Sequence, residues 1–393
     1  MLYREVGEYK TSYAEDSQTF PIKFDRYRYF FVLFVGILFV PFVINDYWAG
    51  AVFLPFLIYS IAAIGLNILT GYCGQVSLGT GGFMAVGAYA SYKLMTSFPD
   101  LNIFFIIIIS GFVTAIVGTL FGLPSLRIKG FYLAVATLAA QFFLVWLFNK
   151  VGWFYNYSAS GMITAPSRSL SFSQVAIGDS SPVHYLFGLI QVSGPNANAT
   201  AKYLFDLFQV TGPDASPAAQ YLFCFIFVFI LAWIARNLTR GKIGRSWMAI
   251  RDMDIAAEII GVNPLIAKLS AFAISSFYVG VAGALFFTVY LGAVEVTEAF
   301  SIQKSFIVLF MVIIGGLGSI FGSFAGAAFM VLLPVALKNL LVLQFGWAVD
   351  IAAHLEFIII GGLIVFFLIV EPHGLAQLWN LLKQKLRLWP FPY

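Results

Sequence analysis

Charge is the scarcest commodity in this chain: only 10% of its 393 residues are Asp, Glu, Lys or Arg, while 61% are hydrophobic and the mean hydropathy is +0.90. A soluble domain carries about 25% charged residues. A water-exposed surface all round this chain is therefore hard to build, and a membrane is the expected environment. The net charge of +4 is too small to suggest nucleic acid as a partner. Cysteine is nearly absent as well: Cys73 and Cys224 both lie in apolar surroundings, which argues against a disulfide framework. The three histidines are scattered and no H-E-x-x-H occurs, so neither a metal site nor a nucleophile–base constellation is evident. No G-x-x-x-x-G-K-[ST] loop is present. The first 28 residues are polar and of mixed charge, and no short apolar run ends in a small-residue cleavage site, so no cleavable signal peptide is expected.

Long apolar runs are what the chain has instead. A bilayer-spanning helix needs about 20 mostly apolar residues. Such windows fall at 29–45, 48–70, 80–97, 103–122, 131–148, 218–235, 266–290, 305–317, 320–341 and 355–370. The expected fold is an all-α polytopic membrane protein with about ten transmembrane helices. Lys and Arg stay on the cytoplasmic side, and 16 of the 22 basic residues fall in the head, in 123–130, in 236–268 and in the tail. Ten spans put all four segments on one face, so both termini read as cytoplasmic. The expected organisation is a cytoplasmic segment at 1–28, a membrane domain at 29–370 and a cytoplasmic tail at 371–393.

One external segment, 149–217, is long and rich in Ser, Pro, Asn and Gly. It holds a tandem duplication: "YLFGLIQVSGPNANATAK" at 185–202 is followed by "YLFDLFQVTGPDASPAAQ" at 203–220. Two copies are too few for a solenoid. An insertion that lengthens an external loop is the simple explanation, and a docking surface for an external partner is the sharper one.

The glycines raise a separate question. "GYCGQVSLGTGGFMAVGAYAS" at 71–91 lacks the G-x-G-x-x-G spacing, the β-α-β context and the downstream acidic residue of a dinucleotide site. Small residues spaced by four let membrane helices pack backbone to backbone. Gly318, Gly322 and Gly326 have this spacing, as do Ser276, Gly280 and Ala284; Gly81, Ala85 and Ala88 fall on one face. Residues 71–80 differ, because Gly74 and Gly79 interrupt an apolar pattern while Gln75, Ser77 and Thr80 add hydrogen-bonding groups. Gly315, Gly318 and Ser319 look similar. Transport sites are often built from such discontinuous helices. Both segments are expected to line a translocation path and to form an internal pseudo-repeat of parallel orientation. Lys93, Lys304 and Lys338 lie near span ends, where long side chains reach the interface. Asn67, Thr137, Gln141 and Tyr278 suit interhelical hydrogen bonding.

The largest cytoplasmic loop spans 236–265, and Pro264 is expected to end a helix over about 246–260. That helix is acidic towards its centre, unlike the Lys- and Arg-rich helices that lie on lipid, which favours a protein partner. Its "RDMDIAAEIIGV" carries Arg251, Asp252, Asp254, Ala256, Ala257, Glu258 and Gly261. Here the chain resembles the EAA-type loop of ABC importer permeases, and "GRSWMAIRDMDIAAEIIGVN" resembles more narrowly the branched-chain amino acid permeases of LivM type. "GYCGQVSLGTGGFMAVGAY", "GGLGSIFGSFAGA" at 315–327 and the late "EPHGLAQLW" resemble further segments of that family, so the resemblance runs from about 60 to 380.

The resemblance implies a permease subunit of the bacterial inner membrane that is not an enzyme. It implies ABC ATPase subunits that bind ATP and Mg, a second homologous permease and a periplasmic substrate-binding protein. No cofactor or metal is expected on this chain. Relatives of the same type also serve urea, amides and small organic acids. From other classes, an ion-coupled secondary transporter and an integral membrane enzyme stay open, the first disfavoured by the lack of a charged pair at mid-membrane.

Overall fold

The computed structural model describes residues 11–12, 23–126, 132–169, 174–175, 183–186, 190–191, 209–212, 215–370 and 374–388. Helices dominate: α1 (Lys23–Phe34), α2 (Leu54–Asn67), α3 (Thr80–Ser97), α4 (Ile103–Leu126), α5 (Tyr132–Lys150), α6 (Pro217–Arg240), α7 (Lys242–Asp252), α8 (Asp254–Ile259), α9 (Pro264–Leu285), α10 (Ile302–Gly315), α11 (Ile320–Lys338), α12 (Val349–Val370) and α13 (Gly374–Leu388). Short polar caps separate them. Ser216 accepts a hydrogen bond from the amide of Ala219 with Pro217 at the first helical position, and Asn263 does the same for Leu265 and Ile266 ahead of Pro264.

Seven helices among the described residues are long and apolar enough to cross a bilayer: Asp46–Tyr72, Ile103–Leu123, Leu133–Lys150, Pro217–Arg240, Pro264–Leu291, Val296–Gly315 and Ile320–Val342. Shorter apolar helices cover Phe30–Val43 and Phe357–Phe367. The protein is thus a polytopic, mostly helical membrane protein. Its interior is formed by Asp46–Tyr72 and Pro264–Leu291, whose most apolar stretches are 89% and 83% buried, against 33–44% for the other five. The remaining spans wrap around these two and turn exposed Phe, Ile and Leu outwards, as lipid contact requires.

Small residues bring the inner helices together. A side chain at Gly87 of α3 would strike the carbonyl of Gly280 on α9, and one at Gly283 would strike the carbonyl of Met84. Gly280 also faces Thr114, and Gly118 faces Ser276. Gly322 and Gly326 let α11 lie against Gly315 and Met311 of α10. Gly318, in contrast, is not part of that packed stripe: with φ +75° it belongs to the turn between α10 and α11.

Two expectations about the 236–265 loop are corrected. Instead of one helix over 246–260, α7 begins at once after Gly241, and the chain becomes extended at Met253 (φ −154°, ψ 100°) before α8. The apolar stripe of α7 explains its bounds, since Trp247 and Ile250 are buried and Trp247 Nε1 donates to Ser270 Oγ at 3.0 Å. Asp254 then opens α8 and binds Lys268 Nζ at 2.6 Å, a favourable site for an acid in a first helical turn. Pro264 starts α9 rather than ending the helix before it.

Outside the helices, the described parts of the 151–216 connection form short strands. β1 (Ile163–Thr164) pairs with β7 (Ala293–Val294), and β2 (Arg168–Ser169) with β6 (Gln209–Thr211). β3 (Gln174–Val175), β4 (Val183–Leu186) and β5 (Ile190–Gln191) make a small antiparallel sheet. The duplicated copies are not structurally equivalent: Gln191 pairs within its own copy with Tyr185, whereas Gln209 pairs with Ser169. Most of 187–208 lies outside the described residues, as do residues 1–10, 13–22 and 371–373.

Candidate functional site at two helix breaks

The first break follows a π-helical turn, Ile68–Tyr72, after which the backbone leaves helical geometry until Thr80. Gly74 has φ +73° and packs on Arg251, conditions that suit only glycine. This non-helical stretch is held by hydrogen bonds from Gln75 N to Leu69 O at 3.0 Å and from Leu78 N to Thr137 Oγ1 at 3.0 Å. Gly79 presses against the carbonyl of Thr137. Ser77 and Thr80 are buried, and the Thr80 hydroxyl and Gln75 Oε1 lack hydrogen-bond partners among the described residues.

The second break joins α10 to α11. Gly316 (φ +113°) and Gly318 (φ +75°) carry the chain through it, and Ser319 Oγ accepts from Gly322 N at 3.1 Å to start α11. One side chain from the first break's helix fastens this turn. Asn67 Oδ1 accepts from Gly318 N at 2.9 Å, and Asn67 Nδ2 donates to Ser319 O and Ser323 Oγ, both at 2.8 Å. A side chain on Gly71 would collide with Asn67 and with Gly318 N. The two glycine-rich segments, some 240 residues apart in sequence, are therefore neighbours. Of the residues singled out, Gly318 and Ser319 meet Gly71 around Asn67. Gln75, Ser77, Gly79 and Thr80 follow in the first break and at the start of α3, with Gly79 against Thr137.

The α7–α8 loop reaches the same place. Arg251 Nη1 donates to Gly71 O at 2.8 Å, and its guanidinium pairs with Asp252 at 2.9 Å. Asp254 is tied to Lys268, and Ala257 is buried. Asp252, Ala256, Glu258 and Gly261 stay exposed, with Gly261 closing α8 at φ +91°. Among the apolar residues here, Met253 and Ile255, which the sequence reading passed over, and Ile259 and Ile260 are 69–81% exposed. The i, i+4 spacing of Ile255 and Ile259 was the available signal.

The start of α3 is held by the helices around it. Gly81 N donates to Ser305 Oγ at 2.8 Å, Ser305 Oγ donates to Gln141 Oε1 at 3.1 Å, and Gly82 N also donates to Gln141 Oε1. Gln141 Nε2 in turn donates to Phe300 O at 2.8 Å. Gln141, Asn67 and Tyr278 (Oη to Leu231 O, 2.8 Å) act in interhelical hydrogen bonds, and Thr137 binds the non-helical break at Leu78. Lys304 does not reach the interface as expected. Its Nζ turns inwards, donates to Tyr59 Oη at 3.1 Å and lies 5.8 and 5.5 Å from the ring centres of Tyr59 and Phe286.

Comparison with known proteins agrees with this architecture. Residues 49–368 match the family described as branched-chain amino acid transport system / permease component. The chain is 30% identical over 323 residues to the high-affinity branched-chain amino acid transport system permease protein LivM of Salmonella typhimurium, covering 82% of this chain and 68% of that protein. It is also 30% identical over 329 residues to the LivM of Escherichia coli, with the same coverage. No solved structure matches. With most of its length matched and its helices apolar enough to span a bilayer, the chain belongs to the branched-chain amino acid transport permease family.

Proposed function

We propose that this chain is the membrane-spanning permease subunit of an ABC importer that moves branched-chain or other neutral amino acids across the bacterial inner membrane. The observation that carries the reading is the bond between Arg251 and Gly71, which connects a partner-facing loop directly to a broken helix. A separate ATPase binding ATP and Mg seats α8 through Met253, Ile255, Ile259 and Ile260, with Glu258 beside them. A second homologous permease and a periplasmic binding protein complete the importer. ATP binding favours one arrangement of the loop, and its preference for that state sets the work available to the spans.

In this reading ten helices cross the membrane and both termini are cytoplasmic. The seven long spans are joined by α1, α3 and α12. α3 is richer in Gly and Tyr than a lipid-facing span because protein surrounds it. α2–α3 and α10–α11 are then parallel halves of a pseudo-repeat, each a helix, a glycine break and a helix. Residues 1–28 and 371–393 are cytoplasmic segments, and 149–217 is external. Residues Gly74 to Thr80 and Gly315 to Ser319 line the path.

Uptake measured in vesicles tests this. The complete importer takes up branched-chain amino acids only with ATP on the ATPase side. ATP-independent uptake by this chain alone contradicts the reading.

A further inference from the structure

Tyr59 stands at the centre of the helix Asp46–Tyr72, with 27 residues in that helix. At a rise of about 1.5 Å per residue, roughly 20 Å of helix lies on either side of it, which places it near the middle of a bilayer core about 30 Å thick. Lys304 Nζ, bonded to Tyr59 Oη, is at the same depth. The fold explains how a cation arrives there. The segment after β7 dips inwards: Phe300 is fully buried, its carbonyl is bound by Gln141, and α10 begins only at Ile302. Lys304 and Ser305 then reach different neighbours, Ser305 the start of α3 and Lys304 the rings of Tyr59 and Phe286.

Ionisable groups at this depth are costly and are kept for function. Most are neutralised by a partner of opposite charge. Among the described residues Lys304 has no carboxylate within ion-pair distance; a phenol and two ring faces support it instead. Cation–π contacts and one neutral hydrogen bond hold an ammonium in place but leave its charge uncompensated. A structural lysine would be paired, and an interfacial one would reach for water.

We propose that Lys304 is a way-station for the carboxylate of the transported solute, so that the path serves carboxylate-bearing solutes and rejects amides and urea. This rests on the importer reading above and narrows its substrate class. The unpaired ammonium attracts the carboxylate, and Tyr59 and Phe286 keep it from the lipid while the site is empty.

The experiment uses the complete importer in vesicles, with leucine as the probe and ATP on the ATPase side. Lys304→Met and Lys304→Cys lower leucine uptake by at least about tenfold, the scale of a charge-assisted hydrogen bond, while the permease still co-purifies with the ATPase and melts no lower than the parent. Lys304→Arg keeps a substantial part of the uptake. Treating Lys304→Cys with an aminoethyl methanethiosulfonate, which restores an ammonium, recovers uptake; the sulfonatoethyl reagent does not. Uptake by Lys304→Met within twofold of the parent overturns the proposal, as does a loss that neither arginine nor aminoethylation repairs. An unmodified importer with no ATP-dependent leucine uptake overturns the underlying importer reading instead, a result visible before any variant is made.

Discussion

Arg251 and Gly71 are 180 residues apart in sequence, yet the guanidinium of one donates to the carbonyl of the other at 2.8 Å. That carbonyl is one of those freed when the helix breaks, so the arginine both satisfies it and ties the loop to the break. The bond is charge-assisted and partly exposed. Arg251→Ala is expected to lower ATP-driven uptake at least about tenfold, the low end of the roughly 1.5–3 kcal/mol of a hydrogen bond to a charged group. ATPase binding should persist, because the apolar face of α8 is untouched. Uptake and co-purification measured on the same preparation check this, and intact uptake removes the bond from the mechanism.

Asn67 clasps the second break with three hydrogen bonds, two donated to Ser319 O and Ser323 Oγ and one accepted from Gly318 N. Asn67→Leu keeps the size and removes all three. At about 1 kcal/mol each net, a loss of roughly 2–4 kcal/mol is expected, read as a lower melting temperature in detergent. An unchanged melt would mean that the clasp adds nothing to the folded state.

Two glycines in apolar helices make a paired test of packing. At Gly87 a new methyl group would meet the Gly280 backbone, whereas at Gly361 nothing among the described residues lies within 4 Å. Gly87→Ala is expected to cost about 1–3 kcal/mol by overpacking. Gly361→Ala should be neutral or stabilising by up to about 1 kcal/mol through helix propensity. Thermal melts of the two variants side by side give the comparison.

The outer face of α8 combines Glu258 with Ile255, Ile259 and Ile260, the isoleucines 72–81% exposed. Ile255→Ser with Ile259→Ser, or Glu258→Lys, is expected to abolish co-purification of the ATPase and leave membrane insertion intact. Normal co-purification with both variants would place the ATPase contact elsewhere.

Much of this arrangement is legible in the sequence, and the unevenness has physical causes. Spans are read easily because a bilayer demands long apolar runs, and α3, α4, α9 and α11 begin within three residues of the windows that announce them. The helix breaks are legible from Gly71, Gly74, Gly316 and Gly318, since backbone irregularity inside a membrane protein needs small residues and polar neighbours. Their adjacency is not, because it depends on Asn67, one amide among many buried polar groups. The bend at Met253 escapes prediction for a similar reason: local propensity favours a continuous helix, and a tertiary bond between Asp254 and Lys268 overrides it. Lys304 is misread because a lysine near the end of an apolar window ordinarily reaches the interface. Only the inward fold of residues 292–301 carries it deeper.

Thiol labelling at the two breaks tests the account most directly. The native Cys73 and Cys224 are both buried, and the parent chain serves as their control. Ser77→Cys and Ser319→Cys are reacted with a membrane-impermeant reagent in the complete importer, with and without ATP. The account predicts that at least one site changes its labelling with nucleotide, and that Arg251→Ala removes the change. If neither site is labelled in any nucleotide state, the path does not run through the breaks and the account is contradicted.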